Sequence, residues 1–180
     1  MAAVDSIAAR RRAAFLDRNG VINVDHGYVH RADQLDLTPT AARGIRILND
    51  AGYLVIVVTN QSGVARGMFT CDQVDAFHRH MADALCGEGA RIDAFYHCPY
   101  HPDGSVAAFR REHPDRKPAP GMLLRAIADW NIDPDASFLI GDQARDIDAA
   151  RNAGVAGFPI ESDTGDLAAT VRRAMRATRR

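Results

Sequence analysis

Asp17, Thr59, Lys117 and Asp142 are the side chains of this sequence best suited to chemistry in common: a nucleophilic carboxylate, a hydroxyl, a cation and a second carboxylate able to hold a metal. Ala13–Leu16 is short, apolar and closed by Gly20, the pattern of a parallel strand buried on both faces, and it delivers Asp17 to the strand's carboxyl end. Tyr53–Val58 ends in Thr59-Asn60-Gln61-Ser62-Gly63, and Ser137–Ile140 ends in Gly141-Asp142 followed by Asp146. One polar strand end is an ordinary turn, since Asp, Asn, Ser and Gly dominate turns on conformational grounds. Three such ends, with Arg116-Lys117-Pro118 after a long loop, read as one site at the edge where open α/β sheets bind ligands.

The segments between these ends have helical periodicity. Thr70-Cys71-Asp72-Gln73 is a capping box opening a helix to about Gly87, with Val74, Phe77, Met81 and Leu85 on its apolar face. A second helix follows Pro120 with Leu123, Ile127 and Trp130 as its stripe, and a third runs from Asp146 to Ala153 before Gly154 stops it. Strands alternating with helices predict an α/β fold with a doubly wound parallel sheet. The 180 residues suit a single domain over 1–180, with 1–12 as a solvated lead-in and with loops in place of a large cap.

Composition narrows the function classes. Lys and Arg total 22 against 23 Asp and Glu, a net charge of −1, which gives no global pull toward nucleic acid or anionic membrane. No apolar run approaches a membrane span. Ala8-Ala9-Arg10-Arg11-Arg12 is basic but lacks the apolar segment of a secretory signal. Three cysteines, Cys71, Cys86 and Cys98, form no paired motif and suit a reducing cytoplasm, and a monomer is expected.

Asp17, Thr59, Lys117 and Gly141-Asp142 with Asp146, in that order and spacing, resemble the haloacid dehalogenase (HAD) superfamily of phosphohydrolases. Leu16-Asp17-Arg18 with Gly20, Val24–His30, Val58–Gly63, Ala65-Arg66-Gly67 and Arg116-Lys117-Pro118 narrow the likeness to the D,D-heptose 1,7-bisphosphate phosphatases, and several blocks are shared with histidinol-phosphate phosphatases. The resemblance covers about residues 13 to 160 and is specific, because many separate motifs agree. It implies a doubly wound HAD-like fold and a Mg²⁺-dependent phosphatase acting on a small sugar phosphate, most plausibly a heptose bisphosphate at its 7-phosphate. In that scheme Asp17 attacks phosphorus, and Thr59 and Lys117 stabilise the phosphoryl group. Asp17, Asp142 and the backbone carbonyl at Asn19 hold Mg²⁺, while Asp146 orients its neighbours or binds metal through water. Histidinol phosphate, other sugar phosphates and a non-catalytic sugar-phosphate binder on the same fold stand as alternatives.

Asn19 departs from the family pattern, which has an aspartate there as general acid and base. An amide neither gives a proton nor takes one at neutral pH, so a contribution of about 10²–10⁴-fold should be missing while binding survives. An introduced substitution, a paralogue that has lost activity, and another group supplying the proton all fit the sequence.

Two loops carry expectations of their own. Asn23 to Arg31 follows the nucleophile closely enough to cover it, and Asp25, His26, Tyr28 and, less directly, His30 suit sugar hydroxyls. Asn60 is expected at the substrate, and Arg66 and Arg116 at a second phosphate, since guanidinium engages phosphate bidentately. In the heptose phosphatases the segment matching Tyr96–Asp115 typically holds zinc; here the aligned positions are Cys98, Tyr100, His113 and Asp115, with His101 as a substitute for Tyr100. Because a lone thiol among scattered histidines is usually a plain loop, zinc at Cys98, His101, His113 and Asp115 is the minor expectation, with Phe109 as the apolar anchor if it is absent.

Overall fold

A computed structural model describes residues 9–178, so the first eight residues of the expected lead-in lie outside the described residues. Five parallel strands form its sheet: β1 (Ala13–Leu16), β2 (Leu54–Asn60), β3 (Ala94–Cys98), β4 (Phe138–Gly141) and β5 (Ala156–Pro159), in spatial order β3-β2-β1-β4-β5. Leu16 pairs with Val57 on one side of β1 and with Ile140 on the other. The chain winds outward from β1 to β3 and then returns to β4 on the opposite side of β1. The winding therefore reverses between β1 and β4, which opens a crevice at their carboxyl ends.

Helices α1 (Ala41–Asp50), α2 (Cys71–Gly87), α3 (Gly121–Asp129), α4 (Ala144–Asn152) and α5 (Leu167–Ala177) cover both faces. Ala14, Leu16, Val55 and Val57 pack with Ile45, Leu48, Phe77, Met81 and Leu167 in one core. Ala13, Phe15, Leu54, Ile56 and Val58 pack with Met122, Leu123, Ala126, Ala149 and Ala150 in the other. Successive strand residues point to opposite faces, and both faces are covered, so β1 and β2 are apolar throughout. Each fully buried Leu, Ile, Val or Phe contributes roughly 1.5–3 kcal/mol of burial.

The capping box at α2 forms as its sequence predicts: Thr70 Oγ1 accepts the Gln73 N–H at 3.3 Å and Gln73 Oε1 accepts the Thr70 N–H at 2.9 Å. Helix α3 ends at Asp129, which leaves Trp130 beyond it; its buried stripe is Met122, Leu123 and Ala126, with Ile127 and Trp130 half-buried. Helix α4 starts two residues before Asp146, because the Asp146 carboxylate accepts the Gln143 N–H at 3.0 Å and caps the turn. The end of the lead-in is docked rather than free: the Arg11 N–H donates to Asn131 O at 2.9 Å, and Arg12 donates to Ala51 O at 2.6 Å with its guanidinium over Tyr53. No helix among the described residues is long and apolar enough to cross a membrane.

Candidate active site

The ends of β1, β2 and β4 share one edge, and three of the predicted chemical groups stand on it. The Asp17 N–H donates to Ile140 O at 3.0 Å, carrying the ladder to the end of β1. Asp17 Oδ1 accepts from Lys117 Nζ at 2.9 Å and from the Arg18 N–H at 2.8 Å, while Oδ2 receives no hydrogen bond from the described residues. Lys117 is buried, and its ammonium also lies 2.6 Å from Asp146 Oδ1 as an ion pair and donates to Val58 O at 2.8 Å. Burial opposes that charge, but the attraction of Asp17 and Asp146 outweighs it and holds Lys117 above its ordinary pKa. Burial and then repulsion from Asp17 push Asp146 upward, against the pull of Lys117.

Lys117 comes from a loop, and β2 fixes that loop. Asn60 Nδ2 donates to Lys117 O at 3.0 Å and Asn60 Oδ1 accepts the Lys117 N–H at 3.1 Å, a two-point clamp on one residue's backbone. Thr59 Oγ1 accepts from Gln61 Nε2 at 3.0 Å, which leaves the hydroxyl proton of Thr59 to donate elsewhere.

Carboxylate oxygens of Asp17, Asp142 and Asp146 lie within 4.8 Å of one another. Asp146 Oδ2 accepts the Gln143 N–H, while its Oδ1 has no hydrogen-bond partner and faces Lys117 Nζ as an ion pair at 2.6 Å. Asp142 Oδ2 accepts from Gln143 Nε2 at 2.8 Å, but its Oδ1 is buried with no hydrogen-bond partner. A buried anionic oxygen without a donor beside a second carboxylate is a donor set that fits Mg²⁺, a hard cation that prefers oxygen. Gly20 makes room for it: at φ 79 a side chain is strained, and a Cβ would sit 2.5 Å from Asp142 Oδ2 and from Ser162 Oγ.

Asn19 is oriented from behind by Arg18. The Arg18 guanidinium is fully buried; it donates from Nε to Asn19 Oδ1 at 3.0 Å, from Nη2 to Val29 O at 2.6 Å, and from Nη1 to His78 Nε2 at 3.3 Å, and it lies over the Phe77 ring. No carboxylate among the described residues touches it, and burial lowers its pKa to about 10 against the pull of Asp17 and Asp25. His78 is neutral, its pKa driven far down by burial and by Arg18.

A shallow cleft of about 50 Å³ contains Asp17, Asn19, Thr59, Lys117 and Asp142, together with Asp25, Asn60 and Arg145. It adjoins a recess of about 210 Å³ that shares Asn19, Asp25, Asn60 and Arg145 and adds Tyr28 and Gln61–Gly63. Asp17, Asn19, Thr59, Lys117 and Asp142, expected at the chemistry, thus stand together with Asp25, Tyr28 and Asn60. His26 is not: it faces the exposed Asp36 at 3.3 Å. His30 stacks on Phe69. Arg66 and Arg116 line neither space; Arg66 lies 3.4 Å from His101, and Arg116 donates to Tyr100 O at 3.2 Å. A separate cavity of about 460 Å³, mostly apolar and set around Val64, Phe69 and Phe109, contains none of the cleft's residues.

Arg145, which lines both spaces, and Arg18, which holds Asn19, are candidate site residues that the sequence pattern does not reveal. Arg145 occupies a spacer position between Asp142 and Asp146, where motif spacing sets no residue type. Burial first, and then repulsion by Arg145 and Arg66, hold Arg116 below its ordinary pKa, so the three guanidiniums share one positive field. Among the described residues none of the three has a carboxylate within ion-pair distance.

The four residues expected at a zinc site are not gathered into a cluster among the described residues. His101 Nδ1 accepts the Asp103 N–H at 3.0 Å, His113 Nδ1 accepts the Asp115 N–H at 3.1 Å, and Asp115 pairs with Arg125 at 3.0 Å, so three of the four are committed to other partners. Tyr100 stacks on His113 and packs against Phe109. Asp75, His78 and His97 do converge. Yet Arg18 occupies the lone pair of His78 Nε2, which puts the ring's proton on Nδ1, and a ring so engaged has no electron pair for a metal.

A family model described as HAD-hydrolase-like matches residues 115–178. The D-glycero-beta-D-manno-heptose-1,7-bisphosphate 7-phosphatase of Rhodopseudomonas palustris is 50% identical over 160 residues, 89% of each chain. The Escherichia coli K12 protein of the same name is 46% identical over 143 residues, 79% of this chain and 75% of its own. Among solved structures, the D,D-heptose 1,7-bisphosphate phosphatase of B. bronchiseptica, complexed with magnesium and phosphate, superposes with a TM-score of 0.73 at 33% identity over 90% of this chain and 86% of its own.

Proposed function

Because the chain belongs to the HAD phosphatases, in the family of the D-glycero-D-manno-heptose 1,7-bisphosphate 7-phosphatases, we propose that it removes the 7-phosphate of such a bisphosphate through an aspartyl phosphate on Asp17, slowly on account of Asn19. The observation that carries this reading is the Asp17–Lys117–Asp146 chain set beside the unpartnered Asp142 Oδ1 at one strand edge. Asp17 Oδ1 is held by Lys117 and Arg18, which aims the unbonded Oδ2 at phosphorus for in-line attack. Thr59 donates to a phosphoryl oxygen, and Lys117 supplies positive charge that needs no reorganisation as the transition state forms. Asp17, Asp142 and the Asn19 backbone carbonyl would hold Mg²⁺, which when bound neutralises phosphoryl charge.

Asp25, Asn60 and Tyr28 line the space in which the sugar would lie, and Arg145 is the guanidinium that reaches it. Arg145 therefore takes the second phosphate, with Arg66 and Arg116 strengthening the field behind it. The free cysteines suit a reducing, cytoplasmic setting. The test is ³¹P NMR of heptose 1,7-bisphosphate with Mg²⁺ and the protein in substrate amounts. Loss of the 7-phosphate signal alone, abolished in Asp17→Asn, supports the reading; loss of the 1-phosphate, or turnover that survives Asp17→Asn, contradicts it.

A further inference from the structure

Arg18 Nε has a proton and no lone pair, so the Asn19 atom 3.0 Å from it is the amide oxygen. This leaves Nδ2 as the atom that Asn19 can offer in the cleft it shares with Asp17. An NH₂ group can hydrogen-bond to an oxygen leaving phosphorus, but it neither protonates that oxygen nor takes a proton from water. Lys117 gives no substitute, since its ammonium is wedged between the carboxylates of Asp17 and Asp146, at 2.9 and 2.6 Å, and donates to Val58 O behind them. The cleft is therefore suited to leaving groups that depart without a proton.

We propose that this chain accepts phosphoryl groups from acyl phosphates and keeps them as a long-lived aspartyl phosphate on Asp17. The proposal rests on the reading of Asp17 as nucleophile. A lone pair of Asp17 Oδ2 forms the new O–P bond; the P–O bond to the acyl oxygen breaks, and its electron pair leaves on a carboxylate, a weak base that needs no proton. In an alkyl phosphate the same pair would leave on an alkoxide, which needs the acid that Asn19 is not. Hydrolysis of the phosphorylated Asp17 requires water to give a proton to a base as it attacks, and the amide provides none. Formation is thus relieved of the missing group by the choice of donor, whereas breakdown is not, and the phosphorylated protein accumulates.

The test incubates the full chain with acetyl phosphate and Mg²⁺ and reads intact mass after the donor is removed. The protein should carry one added phosphoryl group, Asp17→Asn none, and Asn19→Asp no lasting adduct while it releases phosphate from acetyl phosphate faster by about 10²–10⁴-fold. If the unchanged protein stays unlabelled while Asn19→Asp turns acetyl phosphate over, the proposal fails and Asp17 remains the nucleophile. If Asn19→Asp is also inert and nothing is labelled, the nucleophile assignment fails with it. An adduct of equal yield on Asp17→Asn, or turnover of an alkyl phosphate by the unchanged protein at the Asn19→Asp rate, with Asp25 as the other acid in the cleft, overturns it as well.

Discussion

Replacing Lys117 by methionine keeps most of its volume and removes the cation between two buried carboxylates. Lys117 Nζ lies 2.9 Å from Asp17 and 2.6 Å from Asp146, and neither carboxylate has another cationic side chain in contact among the described residues. Removing one partner from such a group typically costs about 3–5 kcal/mol, because the remaining charge stays buried and uncompensated. Against a total of about 5–15 kcal/mol, the variant should fold with a much lower urea midpoint at neutral pH. Its pH dependence follows from the direction of the shifts. Asp146 already sits above its unfolded value of about 3.9. A carboxyl raised in the folded state binds its proton more tightly there, so stability falls as pH rises through the window between the two values. Without Lys117 the folded value climbs further, and the variant should regain stability as pH drops through that higher value. Lys117, raised in the folded state, stabilises the parent fully below its unfolded value of about 10.4 and loses that contribution only above it. The difference between the two proteins should therefore narrow on acidification from pH 7 to pH 5. A difference below about 1 kcal/mol at pH 7, or one that widens in acid, would refute the coupling of Lys117 to Asp17 and Asp146.

Arg145→Ala should raise KM for the bisphosphate by about 10- to 100-fold, the worth of one charge-assisted phosphate contact, and leave KM for a monophosphate of the same sugar near its parent value; equal changes for both would remove Arg145 from the second-phosphate site. Gly20→Ala should lower stability by about 1 kcal/mol or more and weaken Mg²⁺ binding by calorimetry, since φ 79 disfavours a side chain and the new Cβ meets Asp142; unchanged Mg²⁺ affinity would contradict the placement of Asp142 at the metal. Asp142→Asn should weaken Mg²⁺ binding with little loss of stability, because the carboxylate oxygen it neutralises has no protein donor; Mg²⁺ affinity equal to the parent's would count against this ligand set.

The sheet's centre was legible because strands buried on both faces are apolar without interruption, as Phe15-Leu16 and Leu54–Val58 are, and because polar residues stand at their ends. β5 gave no such signal: Ala156-Gly157-Phe158-Pro159 is a short edge strand with a glycine and a proline. In the site, residue type and order identified Asp17, Thr59, Lys117 and Asp142, but sequence spacing does not say where long side chains end. Arg66 and Arg116 lie by His101 and Tyr100, while Arg145 reaches the cleft from a position that motif spacing treats as free. The role of Arg18 was hidden for a related reason: its contacts with Val29 and His78 join segments far apart in the chain.

Asn19 stands where an otherwise assembled site needs its acid and base, and the most direct test is initial phosphate release from D-glycero-D-manno-heptose 1,7-bisphosphate by the protein and by its Asn19→Asp variant at equal Mg²⁺. A gain of about 10²-fold or more in the variant is the predicted result. Equal rates in the two proteins would contradict it.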